Sequence, residues 1–507
     1  MHIRYPMGGG ALIAALLTSS AAFAEVSPQE VWDSWRGYLE SFGYAITATP
    51  TMSGGDITVS GISMTAALPE DGGTMEMTMP QVQFVDNGDG TVGIVLPDSY
   101  PTNISIRPAD DTGDSVDLTL QYSMPALKMT ASGSADDMAI SFAGEQALVE
   151  LSQLTVNGET LNNAKVKFGL EGLTGNVGFK AGDLRVMQET VTASAMNYAI
   201  AVTDPEGNGF FTMSGGAEGL TALATMALPA EYDPMDMNTA LKDGLAMDTT
   251  FTTGAGSLEF AFQDGDQNAN GSSSSAGTNF SFALDKNELS YGFAVNGWNA
   301  SLAGSDIPLP IRFSTARMAM DLTIPVAKSA VPKDFAARFE LVDFAPDDMI
   351  WSIFDPTGGL PHDPATFVIS LVGKGNWLFD ILDPEQAMAM AGSDQPFELQ
   401  ALTLDDLRIS AAGAELTGLG SFVFNNNDLT TFDGLPAPDG SIDLRLVGAN
   451  GLIDRLIAMG LMSDDDAMGM RMMMGMFGRP GEGEDEVLST IEVRSDGQIL
   501  ANGQRLQ

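Results

Sequence analysis

His362 offers the most reactive chemistry in this chain: the only other histidine is His2, in a segment expected to be removed, and there is no cysteine. A catalytic triad would have to use His362 as its base, yet no G-x-S-x-G nucleophile elbow occurs to supply the serine. The residue sits between Pro361 and Asp363-Pro364, in a turn, and reads as a loop histidine. Without a thiol and with one histidine left, cysteine nucleophiles, Cys/His zinc sites and multi-histidine metal centres are excluded. With 67 Asp and Glu residues, carboxylate pairs arise by chance. A glycosidase would also need an aromatic platform for the sugar. The five tryptophans are two in the first predicted helix and the scattered Trp298, Trp351 and Trp377.

Two further patterns are weighed as metal sites. Asp266-x-Asn268-x-Asn270-Gly271 starts like an EF-hand loop, but the twelfth position is Gly277 where a bidentate glutamate should stand, so a solvated loop is the reading. The methionines Met459, Met462, Met468, Met470, Met472, Met473, Met474 and Met476 could ligate Cu(I), for which thioethers are selective. Their spacing covers several helix faces, as expected of flexible apolar filler or an adaptable contact surface. No phosphate-binding or dinucleotide fingerprint occurs. No catalytic, cofactor-binding or metal-ligating residue is assigned, and the expectation is a non-enzymatic protein.

The elements that carry these residues are mostly strands. From Tyr44 to about Val342 apolar residues recur with period two, as at Val116, Leu118, Leu120 and Tyr122 or Met318, Met320, Leu322 and Ile324, with Thr, Ser and Asp between them. Glu70-Asp71-Gly72-Gly73, Asp86-Asn87-Gly88-Asp89-Gly90 and Asp110-Asp111-Thr112-Gly113 supply hairpin turns. The alternation changes parity across Gly61, Pro80 and Pro125, which predicts strands bent midway. The fold class is mainly β: a long antiparallel meander forming a curved or rolled sheet, in two lobes, with a few short peripheral helices and a mixed α+β C-terminal part.

Five segments follow. Residues 1–24 read as a secretory signal peptide, with Arg4, the apolar run Ala11 to Leu17 and an Ala22-Phe23-Ala24 cleavage site before Glu25. Residues 25–43 hold an amphipathic helix opened by a capping box at Ser27-Pro28-Gln29-Glu30 and stopped at Gly43. Residues 44–232 form a β-rich lobe and 233–345 a second, with a short helix after Asp233-Pro234, a candidate boundary at 215–250 and a flexible hairpin loop over 264–278. Residues 346–507 mix strands with helices opened at Asp347 and Asp383, one carrying Leu452, Ile453, Leu456, Ile457 and Met459, and a Met-rich helix capped by Ser463.

The formal net charge of -44 argues against nucleic acid and anionic membrane surfaces as partners. No window beyond the signal is long and apolar enough for a transmembrane helix, and the mature chain is expected in a bacterial periplasm. The elements Trp351-Ser-Ile-Phe-Asp-Pro356 and Leu360-Pro-His-Asp-Pro364, the ending Ser495-Asp-Gly-Gln-Ile-Leu-Ala-Asn-Gly503 and the Trp-bearing first helix resemble an uncharacterised alphaproteobacterial envelope family, domain of unknown function 2125. The resemblance spans nearly the whole mature chain and implies compartment and lineage but no activity. A one-faced sheet with so few helices must be covered by itself or by something apolar. The expected partners are therefore a lipid or other hydrophobic envelope component in an apolar groove or, alternatively, an envelope protein docked on the Met-rich helices.

Overall fold

The computed structural model describes residues 25–506, apart from 69–72, 110–112, 206, 231–235 and 394. The signal peptide, the turn at Glu70 to Gly72 and the Asp233-Pro234 helix start therefore lie outside the described residues. Among the described residues 28 strands join one sheet in which every pairing between strands is antiparallel, so the chain is mainly β as the alternation required. Short strands lie end to end as halves of one rib. Asp56–Ala67 pairs with Val82–Asp86 before Gly61 and with Thr74–Met79 after it. Phe210–Pro229 likewise takes both Gly256–Asp264 and Ala246–Thr253 on one side. Among the described residues no pairing joins the first strand, Ala45–Ser53, to the C-terminal strands, so the sheet is open.

The bend predicted across Gly61 is present and has a backbone cause, whereas at Pro80 and Pro125 the chain breaks into separate strands, Thr74–Met79 and Val82–Asp86, and Val116–Ser123 and Lys128–Ser134. Gly61 adopts φ +61°, a left-handed conformation that glycine reaches without steric cost, and Ile57, Val59, Ile62 and Met64 are all buried despite the parity change. The extra residue re-aims the strand so that both halves keep their apolar side chains on one face. Equivalent left-handed residues interrupt later strands at Gly172, Gly219, Gly297 and Asp343. Repeated along the ladder, they put a crease across the sheet.

The segment 264–278, expected as a flexible loop, is instead largely strand. Gln267–Ser275 pairs with Gly256–Asp264 on one side and Glu288–Gly304 on the other. Its Asn, Ser and Gly residues carry little strand propensity, but both neighbours satisfy its backbone, and the ring of Phe260 covers Gly271 where a side chain would otherwise stand. The ladder also runs unbroken through 215–250, so hydrogen bonding does not divide the sheet at the candidate boundary.

Six helices occur among the described residues: α1 (Pro28–Ser41), α2 (Met237–Lys242), α3 (Asp348–Phe354), α4 (Pro384–Ala391), α5 (Ala449–Ala458) and α6 (Asp464–Phe477). α1 begins as its capping box dictates, the Glu30 amide donating to Ser27 Oγ at 3.3 Å and the Ser27 amide to Glu30 Oε2 at 2.8 Å. α2 is capped by Asp236, and Leu245 and Met247 lie beyond its end. The two buried clusters form where helices meet the sheet. Val31 and Trp32 of α1 close over Ile57, Val59, Val82 and Phe84, and Ala240 and Leu241 of α2 over Leu228, Leu284 and Val326.

Candidate functional site

Register, followed from strand to strand, shows what the sheet presents between these clusters. Ile57 faces Phe84, and the same row continues through Ile94, Met129, Phe142, Val191, Phe251, Phe280, Phe293, Met320, Phe339, Ile369, Leu407 and Leu444, with only Gly175, Ala222 and Gly418 as small members. At roughly 4.8 Å per strand this apolar row is on the order of 75 Å long. One residue along each strand the row is polar: Thr130, Ser141, Asn176 and Thr190, then Thr250, Ser281, Asp321, Arg338 and Ser370, with Leu223 as its apolar member. Beyond the crease the apolar face continues as Tyr100, Tyr122, Val149, Phe168 and Tyr198, and as Val166, Ile200, Met213 and Phe260.

This face is not sealed. Val166, Phe168, Val202, Phe262, Ile311, Met320, Phe339, Phe367 and Ile409 all point to it and are between 36% and 44% exposed. Scattered apolar residues on a surface mean little, but a contiguous face of this extent marks a binding surface.

His362 belongs to a different construction. Its ring stacks on Trp351 of α3, with centroids 4.3 Å apart and planes 7° from parallel, and its Nε2 lies 3.3 Å from Asp355 Oδ2. Asp355 is buried and accepts from the amides of Gly359 at 2.8 Å and Leu360 at 2.7 Å. The Leu360 amide, with the Gly359 amide, the His362 imidazole and the Thr357 hydroxyl, holds its carboxyl down at about 2 against the opposition of burial. The carboxylate therefore organises the turn that joins α3 to the strand Ala365–Trp377, and His362 completes the clamp. Because the folded carboxyl titrates below its unfolded value, the unfolded chain binds more protons as pH falls, and the stabilisation is complete above about pH 4. Asp355→Asn is expected to lower the thermal midpoint at neutral pH, the gap to wild type closing as pH falls from 4 towards 2. A gap independent of pH over that range would show that the charge plays no part.

The other candidates are dispersed by the fold. Asp266 lies in a turn, while Asn268 and Asn270 follow along an extended strand opposite Gln263 and Ala261, so they cannot wrap around one ion. No group of three or more His, Cys, Asp or Glu side chains that could hold a metal occurs among the described residues. On α6, Met468, Met472 and Met476 form an exposed i, i+4, i+8 stripe, with Met470 and Met473 exposed beside it. No described helix is long and apolar enough to cross a membrane.

The fold is thus a creased, open antiparallel sheet with one apolar face. The chain belongs to the family described as "uncharacterized protein conserved in bacteria (DUF2125)", whose model matches residues 232–506. The match covers the strands and helices from α2 onward, whereas the motifs led us to expect it over nearly the whole mature chain. No curated protein and no solved structure matches.

Proposed function

We propose that this is an exported, periplasmic protein, released from its signal peptide after Ala24, that binds lipid or another hydrophobic envelope component along the apolar face without catalysing a reaction on it. The observation that carries the reading is the continuous row from Phe84 to Leu444, whose members at mid-sheet stay partly exposed. Alkyl chains suit such a lining, which is rich in Phe and Met and poor in hydrogen-bonding groups, because burial of apolar area is the whole of what they require. Native mass spectrometry of protein purified from periplasm without detergent, followed by organic extraction, tests it. Discrete extra mass extracting as fatty acid or phospholipid is expected. A clean apo mass with no uptake of a fluorescent fatty acid would sink the proposal.

The second reading, a structural or interaction protein docking an envelope partner through its Met-rich helices, draws on the exposed stripe of α6. It predicts that Met472, Met473 and Met474 changed to Ser abolish co-purification of that partner while leaving lipid content unaltered.

A further inference from the structure

A cavity of about 350 Å³ lies where α1 crosses the hairpin between Ala164–Lys180 and Leu184–Thr203. Its floor is apolar: Phe179, Met187 and Leu228 line it, with Tyr38 of α1 5.1 Å from the Phe179 ring and donating its hydroxyl to Met187 Sδ at 2.7 Å. Burial, with Glu189 nearby, pushes the Tyr38 hydroxyl up to about 12, so it remains a neutral donor. Lys180 and Arg185 also line the cavity, and neither forms an ion pair among the described residues. Arg185 has only a contact from Nη2 to the Ala230 carbonyl, at 3.1 Å.

The two acids in the cavity lining are already engaged. Glu30 accepts from Ser27, and Asp33 from Gln29 Nε2 at 2.8 Å and from Arg36. Asp137 stands opposite Lys180 in the ladder without reaching it, and Asp243 borders the adjoining cleft on the far side of Arg185. Two cations without a carboxylate partner at the edge of an apolar cavity leave a place for an anion. Phe179, Met187, Met226 and Met247 form one register row on the same side of the sheet as the apolar face, with Met226 and Met247 packed against the cluster beneath α2.

We infer that this cavity is a headgroup site for an alkyl chain bearing an anionic head, carboxylate or phosphate. The head sits between Lys180 and Arg185, and the chain runs over Phe179 and Met187 into the groove. The inference rests on the lipid-binding reading for the course of the tail and adds to it the charge and position of the head.

Calorimetric titration of the delipidated protein with dodecanoate, dodecyl phosphate, dodecanol and inorganic phosphate tests it. The anionic amphiphiles are expected to bind at least about tenfold more tightly than dodecanol, and Lys180→Met with Arg185→Met to remove that preference while dodecanol affinity is unchanged. The ratio between dodecanoate and dodecyl phosphate identifies the head. The preference is measured on the wild-type protein first, so the test does not hang on the variant folding. Dodecanol binding as tightly as dodecanoate overturns the headgroup site and leaves the groove standing. Binding of inorganic phosphate with no alkyl compound bound overturns the amphiphile assignment in favour of a free-anion site, and no binding at all removes both readings.

Discussion

Replacing Met320 and Phe339 together by Asp is expected to weaken uptake of a fluorescent fatty acid at least about 100-fold while the protein stays folded. The two side chains face one another across adjacent strands in the middle of the apolar row and are 44% and 38% exposed. In the free protein their carboxylates would remain hydrated, so the fold loses little. An alkyl chain laid over them would strip that water without offering a hydrogen bond in return, and two such groups at ~1.5 kcal/mol each give the estimated factor. The checks are equilibrium titration for uptake and circular dichroism for fold. Unchanged uptake by a folded variant would mean that the chains do not lie on this face.

Trp32→Ala is expected to destabilise the N-terminal end of the sheet by about 3–5 kcal/mol, as large-to-small changes in a sealed core do. Trp32 is 2% exposed, with its ring centroid 5.9 Å from Trp35 and 6.1 Å from Phe84. The helix is the lid on Ile57, Val59, Val82 and Phe84, so its loosening would uncover the first ribs of the groove. Chemical denaturation should give an earlier transition, and hydrogen exchange should show lost protection concentrated in Asp56–Ala67 and Val82–Asp86. Loss spread evenly over the sheet would instead indicate that the whole ladder unfolds as one unit.

Features written in neighbouring residues were legible without the fold. The capping box at Ser27 and Glu30, the Asp347, Asp383 and Ser463 caps, and the period-two strands all depend on contacts a few residues apart. The midway bend at Gly61 was legible for the same reason, since the parity change across it is a property of one strand. The strand Gln267–Ser275 was not. Its composition is that of a loop, and only its two partners, 3 to 19 residues away in Gly256–Asp264 and 25 to 35 residues away in Glu288–Gly304, make it a strand.

The same division holds for the candidate sites. That Asp266, Asn268 and Asn270 do not converge, and that Lys180 and Arg185 line one cavity, follow from pairings and packing between segments of the fold. The contact of Tyr38 with Met187 spans 149 positions. By itself the amino-acid sequence determined that this protein has strands with one dry face, helices that start at defined caps, and no thiol or histidine cluster for catalysis, because alternation, capping and inventory are local properties. Only the tertiary structure decided that the dry faces join into one open row and that α1 leaves a cavity lined by two cations that form no ion pair among the described residues. Whether an apolar face is covered, and whether a charge finds a partner, depends on where the rest of the chain goes.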